Sequence, residues 1–263
     1  MLLSKLRIKR KLGALSKDLS INIYKTIDST NTQAKLHAEH GRCKNAIFIA
    51  KEQTAGRGRM GRSFISERGK GLYLTVLISE RLPASFATSL TTYMAVIAAE
   101  AIESLSGISV NIKWVNDLLV GGKKLAGILT EGRASDDGES LEYAAIGIGI
   151  NLLKQSFDSE VSRIATTLED ECAKRIDAYT LAIEIVKRFF DSLDLVGSPE
   201  IADRYRSRSF LIGNSVTVIK AAGSYPALVE GITDRCELLI KREDGEIEIL
   251  STGEVSVRPS EQI

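Results

Sequence analysis

The chain has 263 residues, of which 44% are hydrophobic and 26% are charged, an ordinary globular composition that excludes disorder and fibrous repeats. Because 35 Lys and Arg face 34 Asp and Glu, the net charge is +1, and no global field draws the protein onto nucleic acid or anionic lipid. The three cysteines, Cys43, Cys172 and Cys236, form no CxxC pair, so we expect neither disulfides nor a thiolate metal site. No apolar run approaches the ~20 residues of a membrane span, and we expect a cytoplasmic protein.

The first 20 residues are predicted to form a basic N-terminal arm, because apolar and basic residues alternate up to Lys11 without the apolar stretch of a signal peptide. From Ile21 to Ile27 the apolar residues keep a period of two, which predicts a strand. Asp28-Ser29-Thr30 then offers a cap to a short helix that ends at Gly41, and residues 46–50 are predicted to form a buried strand.

Residues 52–71 show no periodicity and mix five glycines with five basic residues, which predicts a long, flexible, basic loop. Its segment Gly56–Ser63 matches the letters of GxGxxG and nearly those of a P-loop. Both motifs must open directly into a helix, however, and this loop runs on into a strand. Glycines let the backbone approach a ligand, and interleaved arginines offer forked donors to phosphate or carboxylate. A solvated or RNA-contacting surface loop is the alternative.

The middle of the chain alternates between strand and helix patterns. Alternation over residues 72–78 predicts a half-buried strand, and Pro83 marks the start of a long apolar helix that runs to about Leu105. The remaining predicted elements are a strand at 110–114, a hairpin of 118–120 and 125–130 that turns at Gly121-Gly122, a strand at 143–152 and an amphipathic helix at 177–195.

The pattern changes after residue 208 to short alternating strands at 216–219, 227–229, 238–241 and 247–250. Asp244-Gly245 predicts a type I′ turn between the last two strands. The fold class is therefore predicted as α+β, a mixed sheet backed by helices with a small C-terminal β-barrel. We assign residues 21–205 to the larger domain and residues 209–258 to the barrel.

Polar residues cluster where one strand ends and its hairpin partner returns. Lys113-Trp114-Val115-Asn116-Asp117 ends a strand, and Lys123-Lys124 begins the return strand, which brings an acid, an amide and an ammonium group together. The alternative is structural: Trp114 packs in the core, Asn116-Asp117 forms a turn, and the two lysines only add solubility.

Five blocks in order closely resemble the biotin protein ligases, and the resemblance covers about residues 21–258. They are Ser29-Thr30-Asn31, the segment from Gln53 to Arg62, Lys113 to Asp117, Lys124 to Leu129, and Gly147-Ile148-Gly149-Ile150-Asn151. The resemblance implies a sheet of the class II synthetase type with an SH3-like barrel. It also implies that biotin is attached to a lysine of a biotin carboxyl carrier domain through biotinyl-5′-AMP.

The same resemblance assigns roles to individual residues. Ser29, Thr30, Asn31, Gln53, Arg57, Gly58, Arg59 and Lys124 would bind biotin; Arg59, Arg62, Phe64, Asn116 and Asn151 would bind ATP; and Lys124, Arg59 and Asp117 would serve catalysis. Magnesium would arrive with ATP rather than in a side-chain cage. Two departures concern Val115, where the family usually has proline, and Phe64, where it often has tryptophan.

Alternatives remain at the level of function. A lipoate or octanoate ligase shares the catalytic fold, although the Gly-Arg-Gly-Arg loop and the barrel favour biotin. A nucleic-acid-binding module could use the basic loop, but the net charge of +1 and the absence of aromatic residues among Arg57, Arg59 and Arg62 argue against it. Only 27 residues precede Asp28, about half of what a winged helix needs, so we expect no DNA partner. The oligomeric state stays open, a homodimer included.

Overall fold

The computed structural model describes residues 2–41, 44–220, 223–251 and 253–257, so that Cys43 lies outside the described residues. The helices are α1 (Leu2–Leu12), α2 (Thr30–Glu39), α3 (Phe86–Ser106), α4 (Val161–Ile164), α5 (Leu168–Glu171), α6 (Ala178–Asp191) and α7 (Pro199–Arg206). The strands are β1 (Ser20–Tyr24), β2 (Ala46–Ala50), β3 (Gly71–Ile78), β4 (Leu82–Pro83), β5 (Asn111–Lys113), β6 (Asp117–Val120), β7 (Lys123–Ala134), β8 (Ser140–Asn151), β9 (Ser215–Lys220), β10 (Gly223–Ile232), β11 (Leu238–Arg242), β12 (Ile247–Leu250) and β13 (Glu254–Val257).

Eight strands form one sheet in the order β1-β2-β3-β8-β7-β6-β5, with β4 paired to β8. β1 and β2 are parallel and the other pairs are antiparallel, so the sheet is mixed. The last five strands form a separate antiparallel sheet in the order β12-β11-β10-β9-β13. The predicted α+β class, with a helix-backed mixed sheet and a small C-terminal β unit, is confirmed.

The interior strand β3 shows how the layers are arranged. Leu74 and Val76 belong to the main core with α3 and α6, whereas Leu77 packs in a second cluster with Ala34 of α2. Helices therefore cover both faces of the sheet, and all eight residues of β3 are buried. The prediction of a half-buried strand is wrong for this reason.

The N-terminal segment that the sequence predicts as an arm contains helix α1. Ile8 and Leu12 are buried in the main core, and Arg7 forms an ion pair of 3.1 Å with Asp177 near the start of α6. The alternation of apolar and basic residues is thus the pattern of an amphipathic helix that packs on the domain.

Two turns were predicted from glycine, and one of them has a different form. Gly121 and Gly122 both adopt positive φ, 56° and 78°, as the β6–β7 hairpin requires. In the β11–β12 hairpin only Gly245 has positive φ, 88°, and its N–H donates to the Arg242 carbonyl at 3.0 Å. A type I′ turn needs positive φ at both central residues, so the prediction for Asp244-Gly245 is wrong, and the loop holds one residue more.

The start of α3 and the presence of strand β13 also differ from the prediction. Pro83 lies in β4, whose residues pair with Leu141 and Ser140 of β8, so α3 begins only at Phe86. Strand β13, which pairs with β9, was not predicted at all. No helix in the described ranges is long and apolar enough to cross a membrane.

Candidate active site

A cavity lies on the sheet face opposite α3, and its floor is made of glycines. Gly127 of β7 pairs with Gly149 of β8, and Gly147 lies two residues away on the same face. A Cβ on Gly147 would lie 2.2 Å from Asn31 Oδ1, and one on Gly149 would lie 2.5 Å from the Phe64 ring. Neither position has room for a side chain, so the glycines let these two groups approach the sheet directly.

The N-terminus of α2 forms one polar end of the cavity. Gln53 Oε1 accepts hydrogen bonds from the Thr30 backbone N–H at 2.8 Å and from the Thr30 hydroxyl at 3.1 Å. Gln53 Nε2 donates to Ser66 Oγ at 3.0 Å, and the buried Thr75 hydroxyl lies 2.8 Å from that of Thr30. Ser29 is buried beside them. The helix start, the basic loop and β3 therefore meet in one connected polar group.

A charged cluster joins this group on β7. Asn31 Nδ2 donates to the Leu129 carbonyl and to Glu131 Oε2, each at 3.0 Å. Arg57 Nη2 lies 2.8 Å from Glu131 Oε2, and Lys35 Nζ lies 2.7 Å from Glu131 Oε1. Burial opposes ionisation of Glu131, but the hydrogen bonds from Lys35 and Asn31 and the attraction of Arg57 outweigh it, and the pKa of Glu131 is lowered.

The β6–β7 hairpin supplies the reactive pair that the sequence predicts. Lys124 Nζ lies 2.7 Å from Asp117 Oδ1. The two atoms are in ionic contact, but Oδ1 accepts no well-directed hydrogen bond from any residue in the described ranges. This buried oxygen therefore keeps the capacity to accept a hydrogen bond from another donor.

Arg59 connects the basic loop to both sheets. Its Nη1 donates to Asn116 Oδ1 at 3.1 Å, and its Nη2 donates to the Gly253 carbonyl, between β12 and β13, at 3.3 Å. Trp114, buried as the structural alternative expects, also donates from Nε1 to the Cys236 carbonyl at 2.9 Å. The C-terminal sheet is thus tied to the cavity at two points.

Twelve of the thirteen predicted site residues line this one cavity. They are Ser29, Thr30, Asn31, Gln53, Arg57, Gly58, Arg59, Arg62, Phe64, Asn116, Asp117 and Lys124. Asn151 lies apart: its buried amide donates to the Thr166 carbonyl at 3.1 Å, and its role in ATP binding stays a prediction. Since six of these twelve residues belong to the loop of residues 52–71, the loop is more than a solvated surface segment.

Sequence reasoning missed several residues around the cavity. Thr75 and Glu131 look like ordinary polar residues of two strands. The only available signal was that they lie on the same side of the sheet as Gly127 and Gly147. Gly253 and Val255 line the cavity from the far end of the chain, where no pattern in the sequence pointed to the site.

Comparison with known proteins agrees with this geometry. Residues 23–151 match the biotin/lipoate A/B protein ligase family, and residues 211–258 match the biotin protein ligase C-terminal domain. The chain is 33% identical over 225 residues to the bifunctional ligase/repressor BirA of Bacillus spizizenii, covering 83% of this chain and 68% of that one. It is 29% identical to the biotin–[acetyl-CoA-carboxylase] ligase of Paracoccus denitrificans, over 83% and 92%.

Among solved structures, the biotin protein ligase of Aquifex aeolicus in complex with biotin and ATP is similar to this chain. The TM-score is 0.77 at 28% identity, over 92% of this chain and 99% of that one.

Proposed function

This chain belongs to the biotin protein ligase family, and we propose that it attaches biotin to a lysine of a biotin carboxyl carrier domain through biotinyl-5′-AMP at the expense of ATP. The observation that carries the proposal is the single cavity that joins the polar end at Thr30 and Gln53 to the cations Arg57, Arg59 and Lys124. This cavity suits an acid substrate with a polar head group and a carboxylate, together with a second substrate that carries a phosphate. We propose that residues 21–205 form the catalytic domain and that residues 209–258 complete the site.

Activation of a carboxylate by ATP brings two anions together. The biotin carboxylate attacks the α-phosphorus, the bond to the β-phosphate oxygen breaks, and pyrophosphate leaves. Lys124, Arg57 and Arg59 would lower the repulsion between the anions and stabilise the charge that develops on phosphorus. The basic loop would then cover the mixed anhydride and exclude water from it.

In the second step the acceptor lysine attacks the acyl carbon, and AMP leaves. The amine must arrive neutral, although its unperturbed pKa is about 10.4. Asp117 supports this step, because its buried Oδ1 has an unused acceptor site 2.7 Å from the Lys124 ammonium. We propose that Asp117 receives the hydrogen bond, and in turn the proton, of the incoming amine.

Magnesium would accompany ATP, since Mg²⁺ is usually held by phosphate oxygens together with one or two carboxylates. In the described ranges no group of three or more His, Cys, Asp and Glu could hold a metal ion, whereas one carboxylate, Asp117, lines the cavity. The donor set therefore fits an ion that is brought by the nucleotide. When bound, Mg²⁺ would neutralise phosphate charge.

A lipoate ligase is the nearest alternative, because the family model that matches residues 23–151 covers both activities. The C-terminal match and the contacts of Gly253 with Arg59 favour biotin. The test is ATP–pyrophosphate exchange with the purified protein. We expect exchange that depends on biotin, and exchange that responds only to lipoate would reject the assignment.

A further inference from the structure

Glu131 draws together three elements around the cavity, although it does not itself line the cavity. It lies on β7 and accepts hydrogen bonds from Asn31 and Lys35 of α2 and from Arg57 of the basic loop. Its side chain is only 21% exposed. One carboxylate thus faces two cations, Lys35 and Arg57, of which Arg57 lines the cavity.

Arg57 is anchored through only one nitrogen of its guanidinium group. Both of its hydrogen bonds, to Glu131 Oε2 at 2.8 Å and to Thr32 Oγ1 at 3.3 Å, come from Nη2. Nε and Nη1 form no hydrogen bond within the described ranges. An arginine has five N–H donors in a fixed plane, so fixing one nitrogen orients the others without using them.

The backbone around Arg57 does not by itself position the arginine side chain. Gly56 is seated at the base of the loop, where a Cβ would lie 2.5 Å from the Phe64 carbonyl and from Ser66 Oγ. Gly58 follows Arg57 directly. The loop backbone is held there by hydrogen bonds from the Gly58 N–H to the Arg62 carbonyl at 2.7 Å and from the Phe64 N–H to the Gly56 carbonyl at 2.9 Å, and by an isolated bridge between Arg57 and Ser63, but these main-chain contacts do not fix the Arg57 side chain. Without an anchor, the Arg57 side chain would lose its conformational freedom only on binding the substrate, and this entropy loss would weaken binding. The anchor fixes the side chain before the substrate arrives.

We propose that Glu131 is a positioning residue for the first step: it holds Arg57 by Nη2 so that the remaining guanidinium nitrogens are presented to the carboxylate of the acid substrate. This inference rests on the proposed function. In this proposal Glu131 affects the carboxylate of the acid substrate through Arg57, so the two residues must be energetically coupled.

A double-mutant cycle tests the coupling. We expect Glu131→Gln to raise KM for biotin in pyrophosphate exchange roughly three- to tenfold while kcat changes less, since a partly exposed ion pair has a modest effect. Arg57→Ala should raise KM at least as much, and the double variant should be no worse than Arg57→Ala. Additive effects of the two substitutions would overturn the proposal.

The matched control is Glu142→Gln. Glu142 lies on β8 of the same β7–β8 pair and forms an ion pair with Arg133, outside the cavity. Its substitution should leave KM for biotin unchanged. A rise equal to that of Glu131→Gln would show a general effect of lost ion pairs on this hairpin and would overturn the proposal.

A second readout does not depend on biotin. Trypsin cleaves after arginine, and the basic loop carries four arginines, so anchoring of Arg57 by Glu131 should slow cleavage in the loop. We expect loop cleavage about threefold faster or more in Glu131→Gln, with Tm close to that of the wild type. Unchanged cleavage in Glu131→Gln would contradict the anchoring of Arg57, whether or not the protein catalyses biotin-dependent exchange. A wild-type protein without biotin-dependent exchange would reject the proposed function instead.

Discussion

Lys124 and Asp117 meet at 2.7 Å because of a bulge in the β6–β7 hairpin. Leu118 pairs with Ala126, but Leu119 pairs with Lys124, so β7 contains one extra residue at this point. Counting back from Gly127, strict alternation would direct Lys124 toward α3. The bulge shifts it to the cavity side, where it reaches the carboxylate.

We predict that Lys124→Ala abolishes adenylate formation and leaves the fold intact. Lys124 is partly exposed and fills no core volume, but it supplies charge where the carboxylate meets the phosphate. The measurement is biotin-dependent pyrophosphate exchange together with Tm. The matched control is Lys123→Ala at the neighbouring exposed position, which should keep the wild-type rate. Exchange by the Lys124 variant at that same rate would remove Lys124 from the mechanism.

We predict that Arg59→Gly still activates biotin but releases biotinyl-AMP. Arg59 holds the loop to Asn116 and to the Gly253 carbonyl, and it would also clamp the phosphate of the intermediate. Loss of one charge-assisted contact of ~1.5–3 kcal/mol corresponds to a roughly ten- to hundredfold faster release.

Escape of the intermediate can be observed with a bystander protein held behind a dialysis membrane and probed with streptavidin. The bystander should be labelled with Arg59→Gly but not with Arg68→Gly, which changes an exposed arginine of the same loop. If the bystander stays unlabelled while the carrier domain is modified normally, Arg59 does not retain the intermediate.

We predict that Gly147→Ala disturbs the polar end of the cavity. The added Cβ would lie 2.2 Å from Asn31 Oδ1, which accepts a hydrogen bond from the Thr75 hydroxyl at 2.7 Å, while Nδ2 donates to the Leu129 carbonyl of β7, so Asn31 must move. Overpacking of this kind costs about 1–3 kcal/mol, and we expect a lower Tm and a higher KM for biotin. Gly231→Ala is the control, because nothing lies within 4 Å of its Cβ. Equal behaviour of the two variants would contradict the close approach of Asn31.

We predict that the contribution of Glu131 to stability depends on pH. Its pKa is lowered in the folded protein, so its stabilising effect is present above the unfolded pKa and is lost as pH falls through the folded value. The difference in unfolding free energy between wild type and Glu131→Gln should therefore be constant above the unfolded pKa of a glutamate, about 4.3, and should shrink as the pH is lowered below it, as measured by urea titration. A difference that is independent of pH would mean that Glu131 is not stabilised as a carboxylate.

Local patterns predict most of the fold. Alternation and the two-glycine turn place the strands of the larger sheet, because these signals lie within each segment. The patterns could not tell that β3 is covered on both faces, nor that the basic N-terminal segment packs as a helix, because both facts depend on segments distant in the sequence. The same holds for β13, which is recognisable only once β9 is available to pair with it.

The site could be predicted where its residues fall into motifs. Twelve motif residues line one cavity. Gly253 lines it through contact between the two sheets, and Glu131 contacts Arg57 from a position set by strand register. The Lys124 side chain points toward the cavity because of a β-bulge, and no residue in the sequence marks the position of that bulge. Motifs therefore identify the residues that carry the chemistry, and tertiary packing determines which neighbouring residues orient their side chains.

Biotin ligation is tested most directly by the intact mass of a biotin carboxyl carrier domain after incubation with the protein, ATP, Mg²⁺ and either biotin or lipoate. The polar end at Ser29, Thr30 and Gln53 can exchange hydrogen bonds with a polar head group, whereas a dithiolane offers it neither an N–H donor nor a carbonyl acceptor. We expect the domain to gain the mass of one biotinyl group with biotin and no mass with lipoate. A gain with lipoate alone, or no gain with biotin, would contradict the account.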